Sequence, residues 1–174
     1  LKKKSLWKRL HDATPRPKAE YPGALMQIDT IHIILPDGSR MYIYTLIDLY
    51  SRWANAEVVE RIGAEISVKF VERAQSVAPF KFDMIQSDHG SEFSLWFTHG
   101  LWTAGLSHRH SRVRQSNDNA HIERFNRTIQ EECLDRTTYA NFPKAISEYL
   151  PYYNSERLHM GLNYKTPQEV LQSY

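Results

Sequence analysis

From Ala24 to Ile34 apolar residues fall on both parities, Leu25, Ile31 and Ile33 on one and Met26, Ile28 and Ile34 on the other. That pattern predicts a central strand covered on both faces. Pro36-Asp37-Gly38-Ser39 has the chemistry of a hairpin turn, and the β-formers of Met41–Asp48 predict the returning strand. Trp53–Val59 reads as a third strand. Gly63-Ala64 opens a helix with Ile66, Phe70, Ala74 and Val77 on one stripe, ended by Pro79. Phe80–Gln86 reads as a strand broken by Ser87-Asp88-His89-Gly90. Phe93, Trp96, Phe97 and Leu101 mark a helix closed by Gly105, and Leu106–His110 a short strand.

Ser116 or Asn117 is placed to cap a helix with the stripe Ile122, Phe125, Ile129 and Cys133. A further helix spans Phe142 to Asn154, with Pro151 expected to kink or interrupt it. Thr166-Pro167 starts a last one, with threonine as cap and proline at the first helical position. Three antiparallel strands followed by strand–helix crossovers make a mixed sheet with helices on its faces.

Composition narrows the class. Of 174 residues, 41% are apolar and 12% aromatic, too many for a disordered chain. No apolar run approaches the roughly 20 residues of a membrane span. The single cysteine, Cys133, excludes an internal disulfide framework and reads as an inert buried thiol, so a reducing cytoplasmic setting is expected. Leu1 in place of an initiator methionine points to a piece of a longer protein. Two stretches are expected, a basic linker or truncated amino-terminal segment over 1–23 and a core over 24–174.

The formal net charge of +2 hides an asymmetry. Residues 1–20 carry seven basic against two acidic side chains, and the remainder is net −3. Inside that acidic body, Arg109, Arg112, Arg114, Arg124 and Arg127 face only Asp118 and Glu123. Basic clusters of this kind gain affinity for nucleic acid by releasing counterions.

Three carboxylates resist a purely structural explanation. Asp29 interrupts the most apolar strand, where an unpaired charge is costly. Asp88 ends the fourth strand, the place where ligands gather in open α/β sheets. Glu123 lies on the flank of a helical stripe, with Asn119 and Arg127 four residues either side. Together they are placed to converge at one end of the sheet. Such oxygens suit Mg²⁺, and two ions about 4 Å apart can clamp both oxygens of an in-line phosphoryl displacement. His108 and His110, with His99 and His121 nearby, lack the cysteine or fourth ligand that zinc would want. The rings of Phe93, Trp96, Phe97 and Trp102 are expected in the core.

These residues sit in recognisable motifs: Gln27-Ile28-Asp29-Thr30, Ile47-Asp48-Leu49-Tyr50-Ser51-Arg52, Ser87-Asp88-His89-Gly90-Ser91-Glu92-Phe93, Asp118-Asn119-Ala120-His121-Ile122-Glu123-Arg124-Phe125-Asn126-Arg127-Thr128, and Tyr153-Asn154 with Arg157, His159, Leu162 and Thr166-Pro167. In that order they resemble the catalytic core of insertion-sequence transposases and retroviral-type integrases with an Asp-Asp-Glu triad, over about Gln27 to Val170. The resemblance implies an α/β, ribonuclease-H-like fold with a five-stranded mixed sheet, three antiparallel strands and then two parallel ones. It implies that Asp29, Asp88 and Glu123 are catalytic and hold two Mg²⁺ ions, with Mn²⁺ able to substitute. The activity implied is 3′-end cleavage and strand transfer of DNA, acting on element ends and target DNA as a homodimer or higher oligomer, away from membranes and at the nucleoid.

Asn119, Arg112, Arg114, Arg124 and Arg127 are the expected DNA contacts, and Asp48 is a structural partner outside the triad. The sequence also departs from the family. The 34 residues between Asp88 and Glu123 are one fewer than usual, and Arg114-Gln115-Ser116-Asn117 lacks the customary glycine or proline. Gln130 stands where a basic residue is common, and His89 where asparagine is. A ribonuclease-H-like nuclease without strand transfer, and a non-catalytic DNA-binding or assembly remnant, are the competing readings.

Overall fold

A computed structural model of the chain describes residues 17–112 and 118–174. Strand β1 (Met26–Ile34) pairs along its whole length with antiparallel β2 (Arg40–Asp48), from Met26 opposite Asp48 to Ile34 opposite Arg40. Asp37 closes the hairpin, its Oδ1 accepting the Ser39 N–H at 2.9 Å, and Gly38 takes φ 81°. Strand β3 (Ala54–Val59) adds antiparallel to β2. On the other side of β1, β4 (Met84–Ser87) and β5 (Ser107–His110) add in parallel. The order β3-β2-β1-β4-β5 is the expected mixed sheet.

Both faces of the sheet are covered, as the two-parity pattern of β1 requires. Helices α1 (Ala64–Val77) and α2 (Leu95–Thr103) cover Met26, Ile28, Tyr44 and Leu46 with Phe70, Ala74, Phe97 and Leu101. Helices α3 (Ala120–Glu132) and α4 (Phe142–Ser155) cover Leu25, Ile31, Ile43 and Ile47 with Ile122, Phe125, Ile129 and Ile146. Each such side chain contributes about 1.5–3 kcal/mol when fully buried. Ile34, at the strand end, is exposed instead. A short α5 (Pro167–Gln172) begins with a full capping box, Thr166 Oγ1 accepting from Glu169 N at 3.1 Å and Thr166 N donating to Glu169 Oε2 at 2.7 Å.

Several details differ from the sequence pattern. Residues 80–83 do not extend β4, because the Gln75 side chain takes their backbone groups: its amide donates to Phe80 O at 2.8 Å and accepts from Phe82 N at 2.7 Å. Phe93 belongs to a 3₁₀ turn before α2, and Trp96 and Trp102 point outward, 79% and 74% exposed. The buried stripe is Phe93, Phe97 and Leu101 at strict fourfold spacing, which leaves neighbouring positions about 100° away. Val77 is exposed at the end of α1. Helix α4 continues through Pro151, whose position is exposed, so the carbonyl it leaves unpaired faces water. The proposed caps Ser116 and Asn117 lie outside the described residues; α3 is preceded by Asn119.

Candidate active site

Asp29 sits on the odd face of β1, under α3. Its Oδ1 accepts the Thr30 N–H and its Oδ2 accepts the Asn126 amide, both at 2.8 Å. Asn126 is held in turn by Thr45, whose hydroxyl donates to Asn126 Oδ1 at 2.7 Å. Burial pushes the Asp29 carboxyl up to about 6; the charges of Asp88 and Glu92 add to this, and the Thr30 and Asn126 bonds oppose it.

Asp88 arrives from β4. The parallel register pairs Gln27 with Gln86, and two residues further on it brings Asp88 level with Asp29. The Asp88 main chain is fixed from β5: His110 Nδ1 lies 2.7 Å from the Asp88 carbonyl oxygen, and Ser87 Oγ donates to the same oxygen at 2.8 Å. A carbonyl only accepts, so His110 carries a proton on Nδ1. Ser87 has given its single proton away, so His108 Nε2, 3.0 Å from Ser87 Oγ, is the donor there. His108 Nδ1 is then the acceptor for the Thr98 hydroxyl at 2.7 Å. Burial, reinforced by His110, holds His108 down to about 4, which keeps the ring neutral and this polarity intact. His89 stacks on His110 with centroids 4.8 Å apart.

The Asp88 carboxylate itself is held by the Gly90 N–H, which donates to Oδ1 at 2.8 Å. A side chain at Gly90 would put its Cβ 2.8 Å from Glu92 Oε2 and 3.0 Å from Asp88 Oδ1, so any larger residue there would push on both carboxylates. Glu92 is a buried third acid at this end of the sheet, with Oε1 4.0 Å from His32 Nε2.

Helix α3 is stitched to the sheet by two fully buried glutamines on neighbouring strands. Gln27 and Gln86 both donate to the Asp118 carbonyl, the latter at 2.8 Å, and Gln27 Oε1 accepts the Ile122 N–H at 3.1 Å. The buried Asp118 carboxylate is gripped by Arg112 through Nε at 2.9 Å and Nη2 at 2.8 Å. This docking sets the helix register that lands Asn126 on Asp29. Glu123, three residues earlier, is exposed; its N–H donates to the Asn119 carbonyl at 3.0 Å, and its side chain lines a shallow groove with Asn126, Arg127 and Gln130.

The structure therefore brings Asp29 and Asp88 together and leaves Glu123 on the adjoining helix surface. Among the described residues, no three Asp, Glu, His or Cys side chains are close enough to hold a metal ion between them. The Asp29–Asp88 pair alone fits a hard divalent cation. Its donors are carboxylate oxygens, and a buried carboxyl raised by a neighbouring anion is stabilised by a cation beside it.

Of the expected DNA contacts, Arg124 and Arg127 are exposed. Arg112 is engaged with Asp118, and Asn119 bridges Gln86 and Ser111. Arg114 lies outside the described residues. Asp48 is buried, accepting from Gly23 N at 3.0 Å and from Ser51 N and Oγ at 2.8 and 2.7 Å, which fixes the corner between β2 and β3. Asn126, His110 and the two glutamines are site residues that motif spacing passed over. Gln27, Gln86 and Asn126 each left a trace in the sequence, a polar residue inside an apolar strand or beside an apolar stripe, whereas His110 sits in the polar strand Ser107–His110.

Two models of the integrase core domain match the chain, over residues 19–116 and 104–167. The chain is 30% identical over 153 residues to the uncharacterized 31.7 kDa protein of insertion element IS407 from Burkholderia multivorans, covering 85% of this chain and 55% of that protein. It is 26% identical over 162 residues to the transposase of insertion sequence element IS904 from Lactococcus lactis, covering 87% and 62%. The fold matches the HTLV-2 integrase catalytic core, solved in complex with magnesium in a dimeric form, with a TM-score of 0.71 over 88% of this chain and 99% of that one at 18% identity. The chain spans about half the length of the curated relatives it matches.

Proposed function

Since the chain belongs to the integrase core domain family, we propose that it is the catalytic core of a transposase that cuts the 3′ ends of an element and joins them to target DNA. The observation that carries this reading is the juxtaposition of Asp29, within β1, and Asp88, just past the carboxyl end of the adjacent parallel strand β4. Asp29, Asp88 and Glu123 would hold Mg²⁺, two ions in the full arrangement, with Mn²⁺ substituting. When bound, the metal supplies positive charge for the attacking and leaving oxygens of a phosphoryl transfer.

The chain's own residues supply position. Asn126 and Thr30 orient the Asp29 carboxylate, and His110, Ser87 and Gly90 orient Asp88. Glu123 supplies the third carboxylate from the neighbouring helix. Arg124 and Arg127, exposed on that helix, neutralise backbone phosphates. Joining two element ends calls for at least two protomers, so the acting form is a dimer or larger assembly on DNA. No helix of the described residues is long and apolar enough to cross a membrane.

Strand transfer by the full-length protein on a preprocessed donor end tests the reading. Joined products that vanish in Asp29→Ala and Glu123→Ala are expected. Wild-type activity in both variants would overturn it, and cutting without joining would instead identify a nuclease.

A further inference from the structure

A second cationic feature lies beside α3, and no residue of the triad lines it. A cavity of about 460 Å³ opens between α3, the β2–β3 corner and the segment after α4. Arg52, Arg124 and Arg157 line it, and no acidic side chain does. Arg157 is tied to Glu132, outside the cavity lining, through Nε at 2.8 Å and Nη2 at 2.6 Å. Burial holds His159 below its ordinary value, and Arg157 and Arg52 lie near enough to add to this while Glu132 partly offsets them, so two guanidinium groups sit around one half-buried ring. His159 Nε2 is buried and has no hydrogen-bond partner among the described residues.

Gathered guanidinium groups and an orphaned ring nitrogen are the counterpart of an anion. Apolar side chains also line it, the buried Phe125 and the exposed Met160 among them, which suits a sugar more than a bare inorganic ion. Arg124, Thr128 and Arg157 also line the adjoining groove, where Arg127 stands among Glu123, Glu131 and Glu132, so the cavity continues along the outer face of α3 toward Glu123.

We propose that this cavity is a DNA-backbone subsite, in which Arg52 and Arg124 bind one phosphodiester and its deoxyribose packs on Phe125 and Met160. It anchors the strand whose continuation reaches Glu123. The proposal rests on DNA being the substrate and is independent of the metal set. It also gives the Arg157–His159 motif a role, the shaping of an anion pocket.

The test is fluorescence anisotropy of the 174-residue chain with a short labelled duplex of arbitrary sequence, in EDTA, across a potassium chloride series. The Arg52→Gln/Arg124→Gln double variant is expected to lower the slope of log affinity against log salt by about 1, the signature of one lost phosphate contact, and each single variant by part of that. Affinity at the lowest salt falls several-fold, and Arg52→Lys retains most of the slope. Melting curves establish that each variant is folded.

Unchanged slopes in folded variants overturn the proposal. Unchanged slopes combined with loss of self-association in sedimentation also overturn it, in favour of a partner protomer's carboxylate. So does thermal stabilisation by inorganic phosphate that disappears in Arg52→Gln while DNA binding stays intact, since that marks a small-anion site. Asp88→Ala, inactive if the metal reading is right, keeps the wild-type slope, so failure of one reading is distinguishable from failure of the other.

Discussion

The two sides of the candidate site are built differently. On the β4–β5 side, Asp88 is bound through its carbonyl by Ser87 and His110 and through its carboxylate by Gly90, with His108 and Thr98 behind them. On the α3 side, Glu123 stands exposed on a helix that is itself firmly docked by Gln27 and Gln86. The strand-borne acids are preorganised at a cost, visible in the raised Asp29. The helix-borne acid costs the fold nothing until it is needed. Under the proposed function, a site that admits a duplex between its carboxylates would be served by this division, since only Glu123 would have to adjust.

The largest effects should separate activity from stability. Glu123→Gln is expected to abolish strand transfer while changing unfolding free energy by less than about 0.5 kcal/mol, the ordinary value for an exposed position. Asp29→Asn should abolish it as well, yet raise the metal-free stability at pH 7 by about 1–3 kcal/mol, because a charge disfavoured by burial is removed. Urea melts with EDTA measure both. Equal stability changes in the two variants would erase the contrast.

Next come the groups that act through the aspartates. Asn126→Ala removes the amide from Asp29 and leaves the Thr45 hydroxyl only its longer bond to the Asp29 carbonyl, at 3.3 Å. It should cost about 1–3 kcal/mol of stability and about 10–100-fold in activity. His110→Ala should lower activity by about 10–100-fold with a higher Mg²⁺ requirement. His110→Asn, whose amide N–H can stand where Nδ1–H does, should recover most of it, and His110→Gln should not. Identical behaviour of the Asn and Gln variants in a Mg²⁺ titration would remove the Asp88 carbonyl bond from the explanation.

A smaller effect is pH dependence. His108 sits at about 4 when folded against 6.5 unfolded, so on acidification the unfolded chain takes up the proton first. The stabilisation from its neutral ring is complete above pH 6.5, is lost progressively toward pH 4, and has fallen by roughly 2 kcal/mol at pH 5. Asp29 works in the opposite sense, its folded value of about 6 letting protonation favour the fold. Subtracting His108→Gln from the parent at each pH cancels Asp29 and isolates the His108 slope. A flat difference between pH 7 and pH 5 would show that the ring is not held neutral.

How far the sequence carried these features depended on whether a local pattern encoded them. The two-sided burial of β1, the Asp37-Gly38 hairpin and the Thr166 cap with Pro167 behind it each follow from neighbours in sequence, and each was readable. The early end of β4 was not, because Gln75, on a helix, captures the backbone of Phe80 and Phe82. The outward turn of Trp96 and Trp102 followed from a stripe narrower than their hydrophobicity suggested. Within the site, Asp29 and Asp88 were found because acids are anomalous in strands. Asn126 and Gln86 went unassigned because their roles exist only across long separations. Motif spacing nominated Glu123, whereas helix docking decides where it points.

The most direct test is anomalous diffraction from crystals of the chain soaked in Mn²⁺. A peak between the Asp29 and Asp88 carboxylates, absent in Asp29→Asn, is the expected result. Mn²⁺ bound only elsewhere, with those two carboxylates bare at saturating metal, would contradict a shared cation at this end of the sheet.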